Sequence, residues 1–252
     1  MIASAVSIAS KLPAVGTTIF TVMSRLAAEC GAVNLSQGFP DFQPEPELFA
    51  AVHRHMAAGR NQYAPMAGVP ELRQAIAGKV ADLYGTRFDP EAEVTVTAGA
   101  TQALFTAIAA FVRPGDEVIV FEPVYDSYVP AIEAVGGHAR PSRLRFPDYR
   151  PDWDAVRRLV TARTRMIIVN SPHNPTGSLL GAADLEALAA IVAGSDIVVL
   201  ADEVYEHIVF DGARHLSLAG HPDLRARSLV VSSFGKTYHI TGWKIAYVVG
   251  PA

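Results

Sequence analysis

The feature that most narrows what this chain can fold into is an alternation of two hydrophobic periods. Short apolar runs, several of them continuous and rich in Val and Ile, fall at 93–97, 116–121, 138–144, 165–170, 196–201, 228–233 and 245–249. A run such as Ile197-Val198-Val199-Leu200-Ala201 is strand-sized and apolar at every position. That pattern suits a strand covered on both faces of a largely parallel sheet. Segments of helical spacing at 100–112, 126–135, 152–162 and 182–193 separate the first five runs, and the Leu185, Leu188, Ile191, Val192 stripe is the clearest. Three further helices are expected before the sheet: around Ile19–Ala27, over 45–59, and from Pro70, which suits a first helical turn, to near Gly85. Such alternation predicts an α/β sheet with crossover helices. The last run follows its predecessor after roughly ten residues, too few for a full crossover, so it is read as antiparallel.

Composition sets the outer limits. Half of the 252 residues are hydrophobic and 18% are charged, which excludes a disordered chain. A net charge of −4, with no block of Lys or Arg, argues against nucleic acid and anionic membrane as partners. No run approaches the roughly 18 apolar residues of a membrane span. Residues 1–16 lack the basic start of a secretory leader. The single Cys30 excludes an internal disulfide framework and a multi-Cys metal site, and fits a reducing cytoplasm. The eight histidines show no metal spacing; His173, His207 and His239 read as polar loop or edge residues.

Open α/β sheets bind ligands beyond the carboxyl ends of their strands. The residues just past those ends are therefore the candidates. They are Gly99-Ala100-Thr101 opening a helix, Tyr125, the segment from Ser171 to Gly177 with Asn174, then Asp202 and Tyr205, and finally Ser233 to Lys236. Each has an ordinary reading alone. Asn174-Pro175-Thr176-Gly177 is a good turn in any protein, Asp202 suits the cap of a short helix at 203–208, and Lys236 alone reads as a solvated lysine. Together, a carboxylate, phenols, an amide, a lysine and a helix start that favours phosphate match what pyridoxal phosphate requires. Ser233-x-x-Lys236 also matches a serine acyl-transferase motif but has no partner motifs, and no G-x-G-x-x-G follows the first strand run.

The motifs Asn34-Leu35-Ser36-Gln37-Gly38-Phe39-Pro40, Asn61-Gln62-Tyr63, Gly99-Ala100-Thr101, Ser171-Pro172-His173-Asn174-Pro175-Thr176-Gly177, Asp202-Glu203-Val204-Tyr205, Ser232-Ser233-Phe234-Gly235-Lys236-Thr237 and Gly242-Trp243-Lys244 occur in family order. With them the chain resembles the class I, fold-type I aminotransferases, and within these the methionine/kynurenine group. The resemblance implies an aminotransferase large domain: an α/β/α sandwich with a seven-stranded, mostly parallel sheet. Residues 1–44 would be an N-terminal arm and substrate-side segment, and 45–252 the domain that binds pyridoxal 5'-phosphate. Lys236 would be the Schiff-base lysine and proton carrier, and Asp202 the partner of the pyridine nitrogen. Tyr205 and Asn174 would meet the ring oxygen, and Tyr125 the ring face. Gly99, Ala100, Thr101, Ser233 and Lys244 would form the phosphate cradle. Lys244 stands where many relatives carry arginine, giving charge without a bidentate fork. Tyr63 would reach the phosphate of a second subunit in a homodimer, and Gly38 the substrate carboxylate.

The implied reaction moves an amino group from a methionine-, aromatic- or kynurenine-like amino acid to a 2-oxo acid. A carbon–sulfur β-lyase of the same fold and a non-catalytic cofactor-binding fragment are the alternatives. The resemblance also implies a second, smaller domain carrying an arginine that clamps the substrate carboxylate. The sequence stops at Ala252, about where that domain begins, so a 252-residue form is expected to turn over free amino acids little.

Overall fold

The computed structural model describes residues 9–38 and 40–252. The first half of the leader reading and Phe39 of the first motif lie outside the described residues. Two compact units are present, one ending at Gln43 and one spanning Pro44–Ala252. In the first, α1 (Ile19–Glu29) starts at Thr18, whose hydroxyl accepts the Thr21 N–H. The Asn34 side chain then spans to Ser24 and to the Ser36 N–H, closing the loop behind the helix.

The second unit holds the sheet. Its strands are β1 (Val94–Thr97), β2 (Glu117–Glu122), β3 (His138–Arg143), β4 (Thr164–Asn170), β5 (Val198–Asp202), β6 (Ser228–Ser233) and β7 (Ala246–Val249). They lie in the order β1-β7-β6-β5-β4-β2-β3. The pairings among β2 to β6 are parallel, and β7 is antiparallel to both its neighbours, β1 and β6. All seven strands fall within two residues of the apolar runs.

The helices are α2 (Pro46–Ala57), α3 (Pro70–Tyr84), α4 (Ala100–Phe111), α5 (Tyr128–Ala134), α6 (Trp153–Leu159), α7 (Ala182–Val192) and the short α8 (Phe234–Thr237). They cover both faces. Ile119, Phe121, Ile167 and Val169 pack with Ile76 of α3, Val156 of α6 and Leu188 of α7. The alternate residues Val118, Val120, Met166 and Ile168 pack with Leu104 and Ile108 of α4 and Ile132 of α5. Strand side chains alternate in direction, so a strand with apolar cover on both sides needs apolar residues at every position.

Two expectations need correction. Residues 203–208 form a turn rather than a helix, and Asp202 accepts only the Val204 N–H there, at 3.3 Å. His173 lies in a loop as read, but it is buried at 8% exposure; its Nδ1 pairs with Thr176 Oγ1 at 2.8 Å, and burial pushes its pKa down.

Candidate functional site

Parallel strands bring their carboxyl ends to one edge, and the candidates assemble there. Asn170 and Asp202 are register partners at the ends of β4 and β5. Ser233 closes β6 opposite Ala246 of β7. Asn170 Nδ2 donates to the Asp202 carbonyl at 2.9 Å, and its Oδ1 accepts the Asn174 N–H at 2.7 Å. One buried amide thereby fixes the loop carrying Asn174 to the strand carrying Asp202.

The Asp202 carboxyl is 4% exposed. Tyr128, itself 3% exposed, donates its hydroxyl to Asp202 Oδ2 at 2.5 Å. Burial pushes the Asp202 pKa up to about 6, against the opposing pull of the Tyr128 and Val204 hydrogen bonds and the charge of Lys236. Among the described residues no Lys, Arg or His forms an ion pair with this carboxylate. The Tyr128 phenol is raised by its own burial and then by Asp202. Tyr125 packs edge-on against Tyr128 with ring centroids 5.5 Å apart. Half-buried Lys236, on α8, holds Nζ 5.3 Å from the centre of the Tyr205 ring. Burial and then Asp202 raise the Tyr205 phenol.

The helix-start expectation also has a geometric counterpart. Gly99 turns from β1 into α4 with φ of 86°, a region side-chain-bearing residues avoid. A Cβ on Gly99 would sit 3.5 Å from Lys244 Cδ, so Lys244 lies against the start of α4. No side chain caps that end, and the first N–H groups of the helix remain available to an anion. Ser233 Oγ accepts the Gly235 N–H at 3.1 Å as the cap of α8, leaving its hydroxyl hydrogen for another acceptor.

The structure thus brings Tyr125, Asp202, Tyr205 and Lys236 into one cluster and links Asn174 to it through Asn170. Gly99, Ala100 and Thr101 stand at the α4 start beside Lys244. Tyr63 is not drawn in; it is fully exposed in the loop after α2. Gly38 belongs to the other unit, where a Cβ on it would meet nothing within 4 Å. Sequence reasoning missed Tyr128 and Asn170. Tyr128 lies inside the 126–135 segment read as helical, three residues after the strand-end candidate Tyr125. Asn170 carried one available signal, an amide directly after the apolar stretch Met166 to Val169.

Residues 31–252 match the family model described as "Aminotransferase class I and II". The chain belongs to this aminotransferase family. It is 54% identical over 243 residues to the methionine aminotransferase of Escherichia coli, an alignment covering 96% of this chain and 63% of that protein. Human kynurenine–oxoglutarate transaminase 1 is 37% identical over 241 residues, covering 90% and 57%. A crystal structure from Escherichia coli, whose title reports a methionine aminotransferase function, superposes with a TM-score of 0.94 at 52% identity, covering 98% of this chain and 64% of that one. The structure of N-succinyldiaminopimelate aminotransferase from Mycobacterium tuberculosis gives 0.93 at 47%, covering 97% and 64%. The chain therefore spans somewhat under two thirds of the length of these aminotransferases. Among the described residues no helix is long and apolar enough to cross a membrane, and no group of three or more His, Cys, Asp or Glu is placed to hold a metal.

Proposed function

We propose that the residues from Gly99 to Lys244 hold pyridoxal 5'-phosphate, and that the protein carrying this region transfers an amino group from an amino acid to a 2-oxo acid. The observation that carries the proposal is the buried Asp202 carboxylate. It has hydrogen-bond donors but, among the described residues, no ion-pair partner, and it lies near enough to Lys236 to feel its charge. A buried carboxylate of this kind suits a cationic ring nitrogen, and the family supplies one in its cofactor.

When bound, that cofactor supplies an aldehyde that condenses with amines and a protonated ring that accepts the electrons of a substrate carbanion. Asp202 would hold the ring N–H, and Tyr128 and the Val204 N–H keep its carboxylate oriented. Tyr205 and the Asn174 amide would hold the ring oxygen, and Tyr125 the ring face. The N–H groups of Ala100 and Thr101, after the Gly99 turn, would hold the phosphate with Lys244 and the Ser233 hydroxyl. Lys236 Nζ would take the substrate Cα proton and return it two atoms along, in a 1,3 shift. A second copy of the chain would bring Tyr63 to the phosphate, in a cytoplasmic homodimer, and Gly38 would meet the substrate carboxylate.

Methionine, aromatic and kynurenine-like amino acids are the proposed donors. The relatives reported above are all named as aminotransferases or transaminases, which favours transfer over β-elimination. The test compares the 252-residue chain with a version extended by a relative's C-terminal segment, each given methionine and a 2-oxo acid. The extended form should yield the new 2-oxo acid, the short form far less, and Lys236→Ala none. Release of a thiol and ammonia instead of amino transfer, or turnover surviving Lys236→Ala, contradicts the proposal.

A further inference from the structure

Glu206 takes no part in the mechanism above, yet it is the most heavily bonded carboxylate near the site. Its side chain is 2% exposed. Oε1 meets Lys79 Nζ of α3 at 2.6 Å and accepts from Ser232 of β6; Tyr84 of α3 donates to Oε2. Lys79 also reaches Tyr247 Oη of β7 at 2.8 Å, and Tyr247 is the register partner of Ser232. Burial alone would raise the Glu206 carboxyl, but Lys79 and the hydroxyl donors hold it below its usual range.

The placement of these contacts along the chain is the informative part. Tyr205 is the residue before Glu206, in the turn closed by Glu206 N–H to Glu203 O at 2.9 Å and Ile208 N–H to Tyr205 O at 2.7 Å. Ser232 is four residues before Lys236, with only the Ser233 cap and the first residues of α8 between them. One carboxylate therefore fastens both segments that form the Tyr205–Lys236 contact, and Lys79 ties it to α3. We infer that Glu206 is a positioning residue that sets the Lys236 amine against the Tyr205 ring, acting from the far side of the turn without touching either group. A fully satisfied buried network of this kind holds one arrangement, and removing a single member leaves its partners unpaired.

This inference rests on the reading of Lys236 as the reactive amine, but its test does not need the cofactor. In cofactor-free protein, trace acetic anhydride labels amines according to their exposure and basicity, and mass spectrometry reads each lysine. Lys11, exposed in the other unit, serves as the internal reference. Glu206→Gln and Ser232→Ala should each raise labelling of Lys236 relative to Lys11 by about threefold, the scale of an exposed cation–aromatic contact. Ser232→Ala deletes one hydroxyl and so keeps the test open if Glu206→Gln folds poorly. Glu117→Gln is the control: Glu117 is equally buried and bonded by Arg163, Arg140 and Thr161 at the amino end of β2. It should leave the ratio at the parental value. An unchanged ratio in both site variants, or an equal rise in Glu117→Gln, overturns the inference. Failure of the parent protein to capture pyridoxal phosphate would instead contradict the proposed function, and the labelling ratio would still decide the role of Glu206.

Discussion

Replacing Tyr128 with Phe removes one oxygen and leaves the ring packing in place, so it isolates the hydrogen bond to Asp202. In the parent, burial raises the Asp202 pKa from 3.8 to about 6. The folded state therefore holds this proton more tightly than the unfolded chain. The resulting stabilisation is complete below about pH 3.8 and lost as pH rises through about 6, a change on the order of 3 kcal/mol. The Tyr128 hydroxyl, 2.5 Å from Oδ2, opposes the upward shift. A hydrogen bond to a neutral acceptor contributes about 1 kcal/mol and one to a buried charge about 1.5–3 kcal/mol. The difference corresponds to about one pKa unit, so Asp202 in Tyr128→Phe should titrate at higher pH than in the parent. Urea unfolding of the cofactor-free proteins reads this directly. Tyr128→Phe should cost about 1 kcal/mol at pH 5, where the carboxyl is protonated in the fold, and about 2–3 kcal/mol at pH 8.5, where it is ionised. A penalty that stays level or shrinks between these values would refute the reasoning, because Tyr128 would then not be stabilising the charged form.

Three further outcomes are expected. Asp202→Ala should fold and lose at least about 100-fold of any pyridoxal-phosphate-dependent turnover, the size of other electrostatic losses at active sites; near-normal turnover counts against the site. Sedimentation should show a homodimer, with weaker cofactor retention in Tyr63→Phe, and a monomer retaining the cofactor fully contradicts the role given to Tyr63. Gly68→Ala should destabilise the fold by about 2 kcal/mol or more in denaturant titration, because its Cβ would lie 2.5 Å from Val96 Cγ2 at a φ of 102°; a neutral result means the loop before α3 yields more easily than the packing implies.

The sheet was legible because each buried strand wrote its cover into the sequence. Val118 to Phe121 and Met166 to Val169 are apolar at consecutive positions because alternate side chains meet helices on opposite faces. The antiparallel β7 was legible from the short connection before it. The helix expected at 203–208 failed because Glu203 and Glu206 turn inward to polar partners, His215 and Leu218 N–H for one and Lys79 and Ser232 for the other. Those contacts favour a turn over a helical repeat. Site residues that follow strands, such as Asp202 and Lys236, were visible as polar groups at strand ends. Tyr128 and Asn170 act through partners 74 and 32 residues away, a pairing that no local pattern records. Glu206 is hidden for the same reason, since its Lys79 partner is 127 residues distant.

Lys236 is the amine proposed to take the cofactor aldehyde. Incubation of the folded chain with pyridoxal 5'-phosphate, reduction with borohydride and peptide mapping test that claim most directly, since the chain has only four lysines: Lys11, Lys79, Lys236 and Lys244. The prediction is a single stable adduct on Lys236, lost in Lys236→Ala and not relocated to Lys244. An adduct shared among the lysines, or found on Lys244 alone, would contradict the account.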